Sequence, residues 1–218
     1  MNFNTFSEII TSVAPFVLGI GASVGLYHYK RLTSVAKLLF YFLVGSLVID
    51  LCSRLLEELF SNNLILVFAL TLLELFIFLK LYYNITKKKK LVIFTAILGM
   101  VYTIFELIYV NTNDERLFQP YAKALGPLLI VGMALLFFFE LIRDEENLFQ
   151  RESDYFVLNS TILCFFSLQF LVFLPLNFLV NTDIQLTAYV WIGNISFMIL
   201  FYLYLTYFIW KRGRNLKP

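Results

Sequence analysis

Seven long apolar runs, separated by short polar gaps, fill nearly all of the 218-residue chain. Crossing a hydrocarbon core takes about 20 residues of helix, and each run is of that order. The pattern predicts an all-α membrane protein, a seven-transmembrane-helix bundle, with helices near 8–29, 34–60, 64–85, 91–111, 120–143, 154–180 and 186–210. No low-complexity linker or break in composition divides the chain, so residues 1–218 are expected to form a single transmembrane domain.

The gaps alternate in charge. Runs one, three, five and seven are followed by Lys30-Arg31, by Lys87-Lys88-Lys89-Lys90, by Arg143 with Arg151, and by Lys211-Arg212 with Arg214 and Lys217. The other gaps hold Ser61-Asn62-Asn63, the stretch 111–116 and Asn181-Thr182-Asp183, with Arg116 their only cation. Short loops rich in Lys and Arg stay cytoplasmic, which predicts an N-terminus outside and a cytoplasmic C-terminus. Interfacial aromatics fit the same orientation, with Tyr27, Tyr29, Tyr82, Tyr83, Tyr155 and Trp210 toward the inner face and Tyr109, Tyr121, Tyr189 and Trp191 toward the outer.

Composition narrows the function classes. Hydrophobic residues make up 60% of the chain and charged residues 15%, with a mean hydropathy of +0.80; a soluble domain carries about a quarter charged residues. The spans leave no room for a soluble catalytic, nucleotide-binding or DNA-binding domain. Nucleic acid is therefore not an expected partner, and the net charge of +2 belongs to the inner membrane face. The expected partners are the lipid bilayer and a separate cytoplasmic or membrane protein; composition does not specify an oligomer. The first run lacks the positive n-region of a cleaved signal and carries Glu8, so it reads as a retained helix. Cys52 and Cys164 fall inside apolar runs and read as small packing residues rather than a disulfide framework.

Small residues and prolines add local detail. Gly21 and Gly25 form a GxxxG spacing, which permits close approach of two helices: a homodimer contact, or internal packing against a neighbouring helix. Ala122 and Gly126 make a weaker pair of the same kind. Pro15, Pro127 and Pro175 are tolerated inside membrane runs. No residue-level internal duplication is evident. A small sugar-transporter arrangement would share the helix count, but its expected Pro-Gln dipeptide is replaced by Gln119-Pro120 in reverse order.

The costly residues are the ionisable ones inside the runs. Asp50, Arg54 and Glu57 share one face of the second helix with Ser46 and Ser53, and Glu74 lies near the centre of the third, one turn after Thr71. A charge at the bilayer centre costs about 2.5–3.5 kcal/mol on insertion scales, so these groups should face the bundle interior. Three roles are open: an ion-pair cluster with Arg54 shared between Asp50 and Glu74, a polar ligand pocket, or a proton or ion relay. Glu106 and Lys123 flank one short loop and are expected to pair across adjacent helices. Lys80 and Glu140 sit where long side chains can snorkel. Asn159, Gln169, Asn177 and Asn194 read as interhelical hydrogen-bonding groups, with Asn194 also a ligand-binding candidate.

Missing residues exclude familiar chemistries. His28 is the single histidine, which cannot supply a zinc site or a Ser-His pair, so no metal is expected. The last helix has no lysine before Lys211 to hold retinal, and no other cofactor is expected. An Asp50–Glu74 acidic dyad lacks any supporting motif, which weighs against an enzyme.

The stretches Phe40–Leu59, Leu72-Leu73-Glu74-Leu75-Phe76, Phe118–Leu141, Phe156–Phe173 and Trp191–Leu205 resemble a family of uncharacterised seven-helix integral membrane proteins common in Bacteroidetes-type bacteria. The landmarks are Glu74, Tyr121, Phe139, Asn159 and Asn194; the departure is Asp154-Tyr155-Phe156, where an aromatic Phe-Trp start would be expected. The resemblance implies a bacterial inner-membrane fold and no particular activity. On these grounds the chain reads as receptor- or sensor-like, binding a small or lipidic ligand through Asp50, Arg54, Glu57, Glu74, Glu106, Lys123 and Asn194 and acting through a partner. The alternatives are a small-solute or ion-coupled transporter and a structural or assembly subunit.

Overall fold

The computed structural model describes residues 3–60, 64–109, 120–143 and 153–215. Seven helices in it are long and apolar enough to cross a membrane, and no strand occurs among the described residues. The protein is thus an integral membrane protein built as a helical bundle. The helices are α1 Phe3–His28, α2 Ser34–Phe60, α3 Leu64–Ile85, α4 Lys89–Tyr109, α5 Ala122–Arg143, α6 Ser153–Thr182 and α7 Ile184–Asn215. A short 3-10 turn, Tyr29–Arg31, links α1 to α2. The sequence-based bounds agree most closely for α2 and α3; the expected end of α4 at Asn111 lies outside the described residues. The α6–α7 gap narrows to Asp183, whose Oδ1 caps α7 by accepting the Leu186 N–H at 2.9 Å. At the other end α7 stays helical through Lys211, Arg212 and Arg214.

Six helices close a ring in the order α1, α2, α3, α5, α6, α7, with α7 returning to α1 and also touching α2. Helix α4 lies outside it, in the groove between α3 and α5. Only 22% of the α4 span is buried, against 50% of α3, so α4 is the peripheral helix. Its buried residues Val92, Thr95, Gly99 and Thr103 recur every three or four positions and make one narrow seam. The Thr95 and Thr103 hydroxyls turn back onto the Leu91 and Gly99 carbonyls at 2.9 and 2.8 Å, so neither is an unmet donor in the seam.

Gly21 and Gly25 pack inside the bundle. A side chain at Gly21 would meet Thr206 Oγ1 at 2.6 Å and Leu43 at 2.7 Å, and one at Gly25 would strike Phe40. The GxxxG spacing therefore lets α1 approach α2 and α7 of its own chain. Cys52 and Cys164 correct an expectation: both are exposed on the outer surface of the bundle rather than packed within it.

The centre of the ring is filled by aromatic rings from four helices. Phe42 of α2 meets Phe78 of α3 at 5.0 Å, Phe78 meets Phe166 of α6 at 4.8 Å, and Phe165 stacks on Phe201 of α7 at 3.9 Å. All of these rings are buried. Edge-to-face and stacked pairs contribute about 0.5–1.5 kcal/mol each beyond their area.

Candidate functional site

The bundle has one end near Lys30-Arg31, Lys87–Lys90 and Lys211–Arg214, called here the basic end. Glu74, Asp50 and Asn194 each lie about three helical turns, or about 15 Å, in from the opposite end of their helices. On α2, α3, α6 and α7 the central aromatic residue sits on the basic-end side of the polar one: Phe42 below Asp50, Phe78 below Glu74, Phe166 below Gln169, Phe201 below Asn194. A polar layer therefore rests on an aromatic plug.

Within that layer Glu74 and Lys123 close on each other. Lys123 Nζ donates to both carboxylate oxygens of Glu74, at 2.8 and 2.7 Å, and the two side chains are 5% and 6% exposed. Lys123 Nζ also lies 5.6 Å from the centre of the Phe173 ring. Two charges taken out of water this completely persist only when each supplies the other's counter-charge and hydrogen bonds. Thr71, fully buried one turn away, bonds to the Val67 carbonyl at 2.9 Å and does not compete. Its methyl group is what a side chain at Gly126 would meet, at 3.2 Å, so α5 lies close against α3 here.

Two buried amides join α6 to α7: Gln169 Nε2 donates to Asn194 Oδ1 at 3.0 Å. Gln169 Oε1 is buried and accepts no hydrogen bond among the described residues. A separate bridge lies toward the basic end, where the Tyr82 hydroxyl donates to Asn159 Oδ1 at 2.8 Å and Asn159 Nδ2 donates to the Ala134 carbonyl at 3.1 Å. It ties α3, α5 and α6 together.

Two pairing expectations are corrected. Arg54 is not shared between Asp50 and Glu74: its Nε holds Asp50 at 2.9 Å and its Nη2 reaches the Thr11 carbonyl of α1 at 2.7 Å. This pair, i and i+4 neighbours on one helix, is far less buried, with side chains 43% and 28% exposed. Nor does Glu106 pair with Lys123. Glu106 instead accepts the Tyr121 and Ala122 N–H groups, each at 2.6 Å, and so caps α5. Glu57 is exposed and away from the buried centre. Of the seven ligand-binding candidates, Glu74 and Lys123 form the centre and Asn194 lies in the same layer; Asp50 and Arg54 hold α1 to α2, Glu106 acts on α5, and Glu57 faces outward.

Phe173 and Gln169 were not among the proposed site residues. Phe173 is one of 25 phenylalanines, and nothing in composition or spacing distinguishes it. At the basic end Asp154, the departure from the aromatic start expected for α6, pairs with Lys211 at 2.7 Å and with Arg212 at 3.2 Å. No group of His, Cys, Asp and Glu among the described residues could hold a metal ion. Compared with known proteins, the chain matches no protein-family model, no curated protein and no solved structure.

Proposed function

We propose that the protein is a receptor- or sensor-like switch of the bacterial inner membrane, with its basic end in the cytoplasm, as the loop charges and the family resemblance suggest. The Glu74–Lys123 pair is its latch. A small or lipidic ligand entering from the outer end opens the pair, and the change passes to a separate partner at the basic end. The observation that carries this proposal is the buried, two-oxygen closure of Lys123 on Glu74. Separating such a pair without replacement costs about 3–5 kcal/mol, which suits an element with two discrete states. The aromatic plug lies between the latch and the basic end, so the signal has a packed layer to act on.

A spin-label distance measurement tests the switch. In a background lacking Cys52 and Cys164, labels are placed at the exposed positions Asn84 and Arg214 near the basic end of α3 and α7. Lys123→Met is expected to displace or broaden the distance distribution in lipid nanodiscs. An unchanged distribution in a destabilised variant would reduce the pair to a structural role.

The mid-depth position of the charges favours one second reading, an ion-coupled transporter. It would require a route past the plug. Proton flux in proteoliposomes under an imposed potential, abolished by Glu74→Gln, would select it over the receptor.

A further inference from the structure

Lys123 stands at an unfavourable place for a cation. It is the second residue of α5, where the helix terminus carries about half a positive charge from its unpaired N–H groups. Burial opposes its charge as well. Glu74 answers this directly. Glu106 answers it from the other side, because its two oxygens take the N–H groups of Tyr121 and Ala122, the residues immediately before Lys123. Tyr121 and Pro120 complete the same turn through their carbonyls, which accept from Ala124 and Lys123.

Glu106 belongs to α4, the helix outside the ring. Its carboxylate therefore joins the peripheral helix to the turn that carries the latch lysine. A second carboxylate repeats the arrangement at the other end of the same helix pair: Glu140 of α5 accepts the Lys87 N–H, just before α4, at 3.1 Å. The two grips differ in one respect. The grip of Glu106 falls next to Lys123, whereas that of Glu140 lies at the far end of α5.

We infer that Glu106 is a positioning residue for the Glu74–Lys123 pair, and that α4 controls the latch by holding or releasing the first turn of α5. This control rests on the switch proposed above. Loss of the Glu106 carboxylate leaves two N–H groups unpaired and the first turn of α5 free to fray, which carries Lys123 away from Glu74.

Amine acylation followed by peptide mass spectrometry, on the full chain in lipid nanodiscs, reads this directly. Lys123 is protected in the native protein, and exposed Lys80 serves as the internal standard. Glu106→Ala is expected to raise Lys123 labelling about tenfold relative to Lys80, as local opening of a helix end would. Glu106→Gln, which keeps one acceptor oxygen, should give a smaller rise and provides the test if the alanine variant does not fold. Glu140→Ala should leave Lys123 labelling at the native level although it removes the equivalent grip. Native-level labelling in both Glu106 variants, or an equal rise in Glu106→Ala and Glu140→Ala, would overturn the inference. The spin-label result with Lys123→Met stands apart from it: a moving basic end with unaltered Lys123 protection in Glu106→Ala would retain the switch and remove its α4 control.

Discussion

Lys123 and Glu74 show how partner choice in a bundle depends on depth as well as on sequence distance. Lys123 starts α5 and Glu74 lies mid-way along α3, yet the parallel course of the two helices brings their charges within 2.7 Å. Each is then the other's counter-charge after a nearly complete loss of solvent. Lys123→Met alone should cost about 3–5 kcal/mol, because it strands a buried carboxylate. Glu74→Leu combined with Lys123→Met should recover most of that loss or exceed native stability, since a packed apolar pair carries no desolvation penalty. Reversible unfolding in mixed micelles checks both; equal losses in the single and double variants would mean that the intact pair is itself net stabilising over an apolar replacement, against this expectation. At this scale the sequence located the costly charges and assigned Arg54 one partner that it has, Asp50, and one that it lacks, Glu74, but it misassigned the partner of Glu106. Proximity along the chain favoured Arg54 with Asp50, which occurs, and Glu106 with Lys123, which does not. The two unpaired N–H groups at the start of α5 compete for the Glu106 carboxylate, and a helix terminus is invisible until its first residue is known.

Among the elements, α1 and α4 serve opposite purposes. Helix α1 uses Gly21 and Gly25 to sit tightly against α2 and α7, so the GxxxG spacing serves the fold of one chain. Gly21→Leu should destabilise the bundle by about 1–3 kcal/mol through overpacking, while light scattering of the detergent-solubilised protein should show the native mass. A lower oligomer mass would instead place these glycines between copies. Helix α4 is held by a seam of small residues and by carboxylates at both ends, with little burial elsewhere. Helix existence and most helix ends were legible from the apolar runs, because a membrane requires each span to satisfy its own backbone within one continuous segment. The peripheral place of α4 was not legible. Its run is as apolar as the others, and only the contacts of the folded chain show that α3 and α5 meet beside it rather than with it between them.

For the whole molecule, polar and aromatic layers are stacked along one axis, with the basic clusters Lys30-Arg31, Lys87–Lys90 and Lys211–Arg214 at one end. The loop charges predict that this end is cytoplasmic. A fluorescent-protein fusion at the C-terminus should therefore fluoresce and an alkaline phosphatase fusion there should be inactive; the reverse pair of results would invert the orientation. The chain by itself determined the number of spans, their approximate limits, the expected orientation and the presence of charges too costly to face lipid. These follow from local composition, because hydrophobic length and loop charge act segment by segment. Only the tertiary structure decided which charges meet, that Lys123 rather than Arg54 neutralises Glu74, and that an aromatic plug underlies the polar layer. Those outcomes depend on how helices are arranged around the ring and on the rotation of each about its axis. Nearly uniform apolar faces leave both undetermined until the helices pack.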